Sequence, residues 1–260
     1  MEIRLDGQHA LVMGASQGIG RATARVLAGL GASITAVARD KARLDALLHE
    51  LPATRSPHRA IAVDVSDTDT LASLIAARAA ESPIDIVVNN SGGPAPGPAH
   101  EADAAAFEAA FRQHLIAYQT VARALVPGMK QRGHGRIINI ISTSVKQPLH
   151  NLGVSNTIRA AVANWAKTLA NELGPFGITV NNVLPGATET DRLTAIIRNK
   201  ASKQGISEEH ASEEMRAEIP LRRFARPEEV AFAVAFLAGP SGACVNGINL
   251  PVDGGRTACL

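Results

Sequence analysis

Short runs of consecutive apolar residues alternate along the chain with longer stretches whose apolar positions recur at helical spacing. Runs of strand type fall at residues 10–13, 33–38, 59–63, 84–88, 136–141, 178–184 and 248–252. Helical patterns occupy 19–30, 41–51, 67–80, 101–132, 152–173 and 227–237. Gly174-Pro175 ends the fifth of these, and Pro227-Glu228-Glu229 makes a favourable first turn for the sixth. Runs that are apolar throughout, rather than on alternate positions, predict strands buried on both faces. Strand and helix in regular alternation therefore predict an α/β fold: a doubly wound parallel sheet of about seven strands with helices on both faces.

Two stretches break this pattern. Residues 91–100 are dense in Gly and Pro, as in a loop beyond a strand end. Residues 189–221 are long, charged and weakly apolar, and are expected to form a mobile lid over a site within one domain spanning 1–260. Composition then removes whole classes of function. With 46% hydrophobic residues the chain is too apolar to be disordered. Its 26 basic and 24 acidic residues leave a net charge of +2, too little to grip a nucleic acid. Cys244 and Cys259 cannot build a disulfide framework, and the eight histidines lack paired helical spacing, so no metal site is expected. No apolar run approaches ~18 residues and no secretory leader is evident, so a cytoplasmic, non-membrane protein is expected. There is a single tyrosine, Tyr118.

Gly14-Ala15-Ser16-Gln17-Gly18-Ile19-Gly20 lies between the first strand and the first helix. The first glycine permits a sharp turn, and the later two let backbone N–H groups and the helix N-terminus approach a phosphate. The same residues match the G-x-S-x-G elbow of hydrolases, but that elbow needs strands and an oxyanion loop upstream, and only thirteen residues precede Gly14. Ser16 is thus better read as a hydroxyl beside a phosphate.

In this and later motifs the sequence resembles the short-chain dehydrogenase/reductase family, in its 3-oxoacyl-(acyl-carrier-protein) reductase-like branch. The motifs are the glycine turn, Asp64-Val65, Asn89-Asn90-Ser91-Gly92, the run 135–140 leading to Ser142, and Asn181-Asn182-Val183-Leu184-Pro185-Gly186. Thr190, the run 226–231 and Val252-Asp253-Gly254-Gly255 complete the order. Met13 and Ser91 depart from it, standing where the family has Thr and Ala. The resemblance implies a Rossmann-type fold, a homotetramer packed through residues 101–132 and 152–173, and a bound dinucleotide. Gly14, Ser16, Gln17, Gly18, Ile19 and Gly20 would face its phosphates, and Asp64 and Val65 its adenine. Asn90, Ser91 and Gly92 would line the ribose, and Pro185, Gly186, Thr188 and Thr190 the nicotinamide end. Ala38 stands where an acid would accept from the ribose 2′-hydroxyl, and Arg39 follows, which favours NADP(H) over NAD(H). Asp40 is placed either to act as that acid or to cap the next helix.

The catalytic positions implied by the resemblance are altered. Ser142 fills the serine position. Where the family has Tyr-x-x-x-Lys the chain reads Ser155 to Arg159, and His114 replaces an asparagine. A serine hydroxyl is far less acidic than a phenol, and arginine stays charged at any working pH, so the usual proton donor is missing. Arg159 can still bind the cofactor ribose or an anionic substrate. His114, of a residue type that titrates near neutrality, and Lys146 are the candidates to carry the proton, the alternatives being a hydrogen-bonded structural histidine at 114 and an exposed charge near the cleft mouth at 146. Tyr118, one turn beyond His114, is expected to pack against a neighbouring helix or subunit. The expected function is an NADP(H)-binding oxidoreductase that reduces a carbonyl or oxidises an alcohol. The alternative is a dinucleotide-binding sensor or partner subunit with little turnover.

Overall fold

The computed structural model describes residues 3–259. The expected domain span of 1–260 thus takes in Met1, Glu2 and Leu260, which lie outside the described residues. Seven strands form one parallel sheet in the order β3-β2-β1-β4-β5-β6-β7. They are β1 (His9–Met13), β2 (Ser33–Ala38), β3 (Arg59–Ala62), β4 (Ile86–Asn89), β5 (Gly135–Ile140), β6 (Ile178–Pro185) and β7 (Asn249–Val252). Successive residues of β1 feed different layers. Ala10 and Val12 pack with Leu27 of α1 (Gly18–Gly29), Leu44 of α2 (Lys41–Glu50) and Val234 of α9 (Pro227–Ala238). Leu11 and Met13 pack with Ile75 of α3 (Thr68–Glu81), Val121 of α5 (Ala117–Arg132) and Val162 of α6 (Gly153–Leu173). Burial on both faces is why β1, β2, β4, β5 and β6 read as largely apolar runs, while the edge strands β3 and β7 are only partly covered.

The strand order reverses between β1 and β4, so the connections leaving these two carboxyl ends diverge and open a crevice. Every strand is parallel, so every strand-to-helix loop starts at that same edge. Beside it, a chain of amides crosses four strands. Asn89 donates to Asn139 at 2.8 Å, Asn139 to Asn182 at 2.9 Å and Asn182 to Asn249 at 2.8 Å. Each pair is directly opposite in register.

Two sequence expectations are revised. The stretch 101–132 is helical without a break from Ala104 to Arg132, but it is not α-helical throughout. Ala104–Phe111 (α4) and α5 are joined by a π-helical turn at Arg112–Ile116, whose wider winding rotates His114 inward. The stretch 189–221 is mostly helical, with α7 (Asp191–Gln204) and α8 (Glu208–Ala217) capped by Thr190 and Ser207. These helices bury only Leu193, Ala201 and Ala211, with Leu193 packed on Ile219 and Phe224 from the segment after α8, and so carry a weak apolar period. Among the described residues no helix is long and apolar enough to cross a membrane.

Asn139 is fully buried, and its removal leaves an amide donor on one side and an acceptor on the other without partners. Asn139→Ala is expected to lower unfolding free energy by about 2–4 kcal/mol in urea titrations monitored by circular dichroism.

Candidate active site

The glycine turn is held by contacts that tolerate no side chain. Gly14 and Gly18 adopt φ of +62° and +54°, in the left-handed region. A Cβ at Gly20 would lie 2.1 Å from the Gly14 carbonyl oxygen, so α1 can start against the turn only with glycine there. Asn90, just beyond β4, donates its side-chain amide to the carbonyls of Met13 and Gly14 at 3.3 and 3.4 Å, tying the two sides of the crevice together. Gln17 precedes α1 without a side-chain cap, and the first turn holds no acid, so its N–H groups suit an anion. Ser16 and Ile19 flank this end, half-buried. Thr190 packs against Gly18, Thr188 donates to the Gly186 carbonyl at 3.1 Å, and Pro185 closes β6.

At the far end of the crevice Arg39 is exposed, its guanidinium 3.8 Å from Asp64, whose other oxygen accepts from Ser66 N at 2.9 Å. Val65 packs against the second core. Asp40 caps α2, accepting from Arg43 N at 3.0 Å, which resolves its two possible roles in favour of the cap. Arg43, which the sequence reading did not single out, also reaches the Gln17 side-chain oxygen. This end thus offers two guanidiniums, Arg39 and Arg43, with one nearby acid, Asp40, capping α2 and lying against Arg43, and the other, Asp64, at 3.8 Å from Arg39. The cradle and this charge set fit a dinucleotide that carries a 2′-phosphate.

Around the central strands the altered positions form one buried polar cluster. Ser91 Oγ is hydrogen-bonded to His114 Nδ1 at 2.5 Å and to Tyr118 Oη at 2.9 Å. The two rings meet edge to face at 6.1 Å. The Tyr118 hydroxyl also lies against the guanidinium of Arg159, which donates from Nη1 to the Ile140 carbonyl at 3.1 Å. Arg159 and Ser155 are buried on α6, with 6% and 7% of their surfaces exposed. Ser142 is half-buried after β5, and its Oγ accepts from Ser144 N at 3.1 Å. Lys146 lies four residues on, also half-buried, with no carboxylate partner among the described residues. Gly92 remains open toward the crevice.

Burial first, and then the charges of Arg159 and Arg192, hold the His114 imidazole down to about 2. Its Nε2 is buried without a hydrogen-bond partner. His114 is therefore a neutral ring at working pH, not the near-neutral titrating group that its residue type suggests. Burial raises the Tyr118 phenol, with Arg159 opposing. Tyr118 thus does more than pack: its hydroxyl belongs to the cluster. The signal in the sequence was the pair of departures at Ser91 and His114, the two residues with which it bonds or stacks.

A family model described as Enoyl-(Acyl carrier protein) reductase matches residues 14–257. The NADPH-dependent reductase BacG of Bacillus subtilis is 33% identical over 250 residues, covering 95% of this chain and 96% of that one. Human L-xylulose reductase is 32% identical over 260 residues, covering all of both chains. The crystal structure of L-sorbose reductase from Gluconobacter frateurii, complexed with NADPH and L-sorbose, superimposes with a TM-score of 0.93 at 30% identity over all of both chains. With this sheet order, glycine turn and likeness across nearly its whole length, the chain belongs to the short-chain dehydrogenase/reductase family.

His114 and His9, the latter held down to about 4 by burial and Arg78, give the protein a signed pH dependence. On unfolding, each ring regains the ordinary histidine value of 6.5 and binds a proton that the folded state refuses. Stability is therefore full above that value and falls as pH drops below it, toward about 4 for His9 and about 2 for His114. Urea unfolding across this range should show His114→Gln losing part of the slope, up to about 1.4 kcal/mol per pH unit.

Proposed function

We propose that the protein is an NADPH-dependent reductase that converts a small carbonyl compound to an alcohol without the family's tyrosine–lysine pair. The observation that carries this reading is the buried cluster of Ser91, His114, Tyr118 and Arg159. It keeps a fixed positive charge and a phenol at the end of β5, although position 155, where the resemblance places a tyrosine, is a serine. The relatives support the cofactor, since one is described as NADPH-dependent and another was solved with NADPH.

NADPH bound in the cradle would supply the hydride that a carbonyl carbon needs. Backbone N–H groups at the start of α1 would hold its pyrophosphate, and Arg39 and Arg43 would hold its 2′-phosphate. Ser142 donates a hydrogen bond to the substrate oxygen, and Arg159 favours the negative charge that arrives there with the hydride. Lys146 delivers the proton that completes the alcohol. His114 positions Ser91 and Tyr118, since a neutral buried ring is a poor acid. Residues 189–221 act as a lid over the substrate.

A second reading is a dinucleotide-binding protein with little turnover, which the serine at 155 and the neutral His114 favour. Loss of reduced-nicotinamide absorbance against a panel of ketones, 3-oxoacyl thioesters and sugars separates the two. Sustained NADPH oxidation is expected, and tight NADPH binding with no turnover of any compound would instead support the second reading. Replacing Arg39 and Arg43 together by Ala should cut the preference for NADPH over NADH by roughly 10- to 100-fold in kcat/KM, the worth of a charge-assisted contact.

We also propose a cytoplasmic homotetramer packed through residues 101–132 and 152–173. Phe111 and Ile116 on the first of these stretches are exposed apolar side chains that such packing would cover. Light scattering should give a mass near four chains, and a monomer mass would refute the assembly.

A further inference from the structure

The chain beyond β7 crosses the carboxyl edge of the sheet and is fastened there to three separate elements. At its base, Asp253 lies so close to Gly186 that a Cβ on the glycine would sit 2.7 Å from the Asp253 Cβ. Further on, the Gly254 carbonyl accepts from Leu221 N at 3.2 Å, and Arg256 pairs with Glu218 just beyond α8. Ala258 N then donates to the side-chain oxygen of Gln147 at 3.2 Å, and the Cys259 thiol to the Lys146 carbonyl at 3.6 Å. Asp253 fixes the bend itself, accepting from Gly255 N at 2.9 Å and from Thr257 N at 2.8 Å. The 189–221 segment is thus tied at both ends, because at the start of α7 Arg192 donates to the Gly93 carbonyl at 2.9 Å.

Between this tail, the end of α8 and the loop after β5 lies a cavity of about 230 Å³, lined by Thr143, Gln147, Leu149, Glu218, Arg256 and Thr257. It adjoins the reacting centre, since Thr143 directly follows Ser142 and the tail starts against Gly186. Ligands of open parallel sheets bind outside these same carboxyl ends. Five of the six lining residues are polar, and the two charges among them cancel, Arg256 answering Glu218. Thr143 is 3% exposed, yet its hydroxyl makes no hydrogen bond among the described residues. A buried hydroxyl without a partner is costly, and a ligand group that bonds it removes the cost. Gln147 commits its oxygen to Ala258, so its amide N–H groups are left to donate. Glu218 meets Arg256 through one oxygen, which leaves the other to accept.

We propose that the substrate is a small polyhydroxylated ketone whose hydroxyl-bearing arm occupies this cavity, read by Thr143, Gln147 and the Glu218–Arg256 pair. A hydroxyl both donates and accepts, so successive hydroxyls can satisfy a carboxylate, an amide and a guanidinium in turn. A charged arm would meet both signs on one wall and be favoured by neither. An alkyl arm would strip water from five polar side chains and return nothing. The volume is below the ~300 Å³ at which pockets for drug-sized ligands begin, so the cavity takes a short arm and not an extended acyl chain. Because the ion pair joins the 189–221 segment to the tail, the same hydroxyls bridge the two elements that close over them. The proposal rests on the reductase reading above and narrows its substrate.

The test assays NADPH oxidation with ketoses of four to six carbons, each beside the 2-alkanone and the 2-oxo acid of equal length. Calorimetry runs alongside, titrating the corresponding polyols into the protein with and without NADP+. At least one ketose should exceed its alkanone and its oxo acid in kcat/KM by roughly 10- to 100-fold, the worth of a charge-assisted hydrogen bond. Glu218→Leu combined with Arg256→Leu should collapse that ratio, and Gln147→Leu should lower it in part. Glu218 and Gln147 are exposed, so the variants should fold, which a thermal melt checks, and Gln147→Leu carries the test alone if the double variant does not. Damage to the fold would depress all three substrates together and leave the ratio standing. Alkanones or oxo acids reduced as well as ketoses, or a ratio unchanged in the folded variants, would overturn the proposal and leave the reductase standing. Polyols that bind the native chain and not the variants, with no turnover of any ketone, would keep the cavity assignment and sink the reductase reading. No turnover and no binding would overturn both.

Discussion

The constraint on which this structure turns is a guanidinium taken out of water with no carboxylate to meet it. Burying a charge costs several kcal/mol unless its surroundings replace what water supplied. For Arg159 the replacement is one backbone carbonyl and one phenol, so the carbonyl must be exposed at the end of β5 and the phenol must be carried to it. The π turn before α5 serves that need, since its extra residue brings His114 and Tyr118 inward together. His114 then stays neutral, because an imidazolium there would add a second buried cation. Ser91, where the family has Ala, supplies the hydroxyl that joins imidazole to phenol.

The crevice is therefore two halves with different degrees of freedom. The cradle half is fixed by close backbone approach: Gly20 on the Gly14 carbonyl, and Asn90 on both sides of the turn. Almost any change there collides with main chain. The reacting half is built from side chains on α5 and α6, and side chains can be exchanged in compensating sets. Ser91, His114, Tyr118 and Arg159 form one such set, joined through hydroxyl, imidazole, phenol and guanidinium while the cradle half is held by main chain.

Legibility in the sequence followed the same division. Strand runs, glycine spacing and the run through Pro185 and Gly186 are local patterns, and the sheet they predict is the sheet observed. Within 101–132 the sequence shows the helix but not its π turn, because an Ala-rich stretch has few large apolar positions from which to read a shift of phase. The 189–221 stretch was read as irregular because surface helices with one small apolar patch have little periodicity to show. Asp40 was ambiguous until its helix placed the Arg43 N–H against it. The role of Tyr118 could not be read by counting along one helix, since it depends on where a second strand delivers Ser91 and a third element delivers Arg159. Arg43 and Arg192 were similarly hidden, because their partners are far away in sequence.

The amide chain through Asn89, Asn139, Asn182 and Asn249 has a consequence of its own. Every link donates in the same sense, from β4 toward β7, so the four side chains are ordered like dominoes. One amide cannot turn over without setting donor against donor on one side and acceptor against acceptor on the other, so the row has only two consistent states, all forward or all reversed. Four strands are thereby coupled by a switch that moves as a whole or not at all. The edge of the sheet on which the crevice opens inherits that all-or-none stiffness.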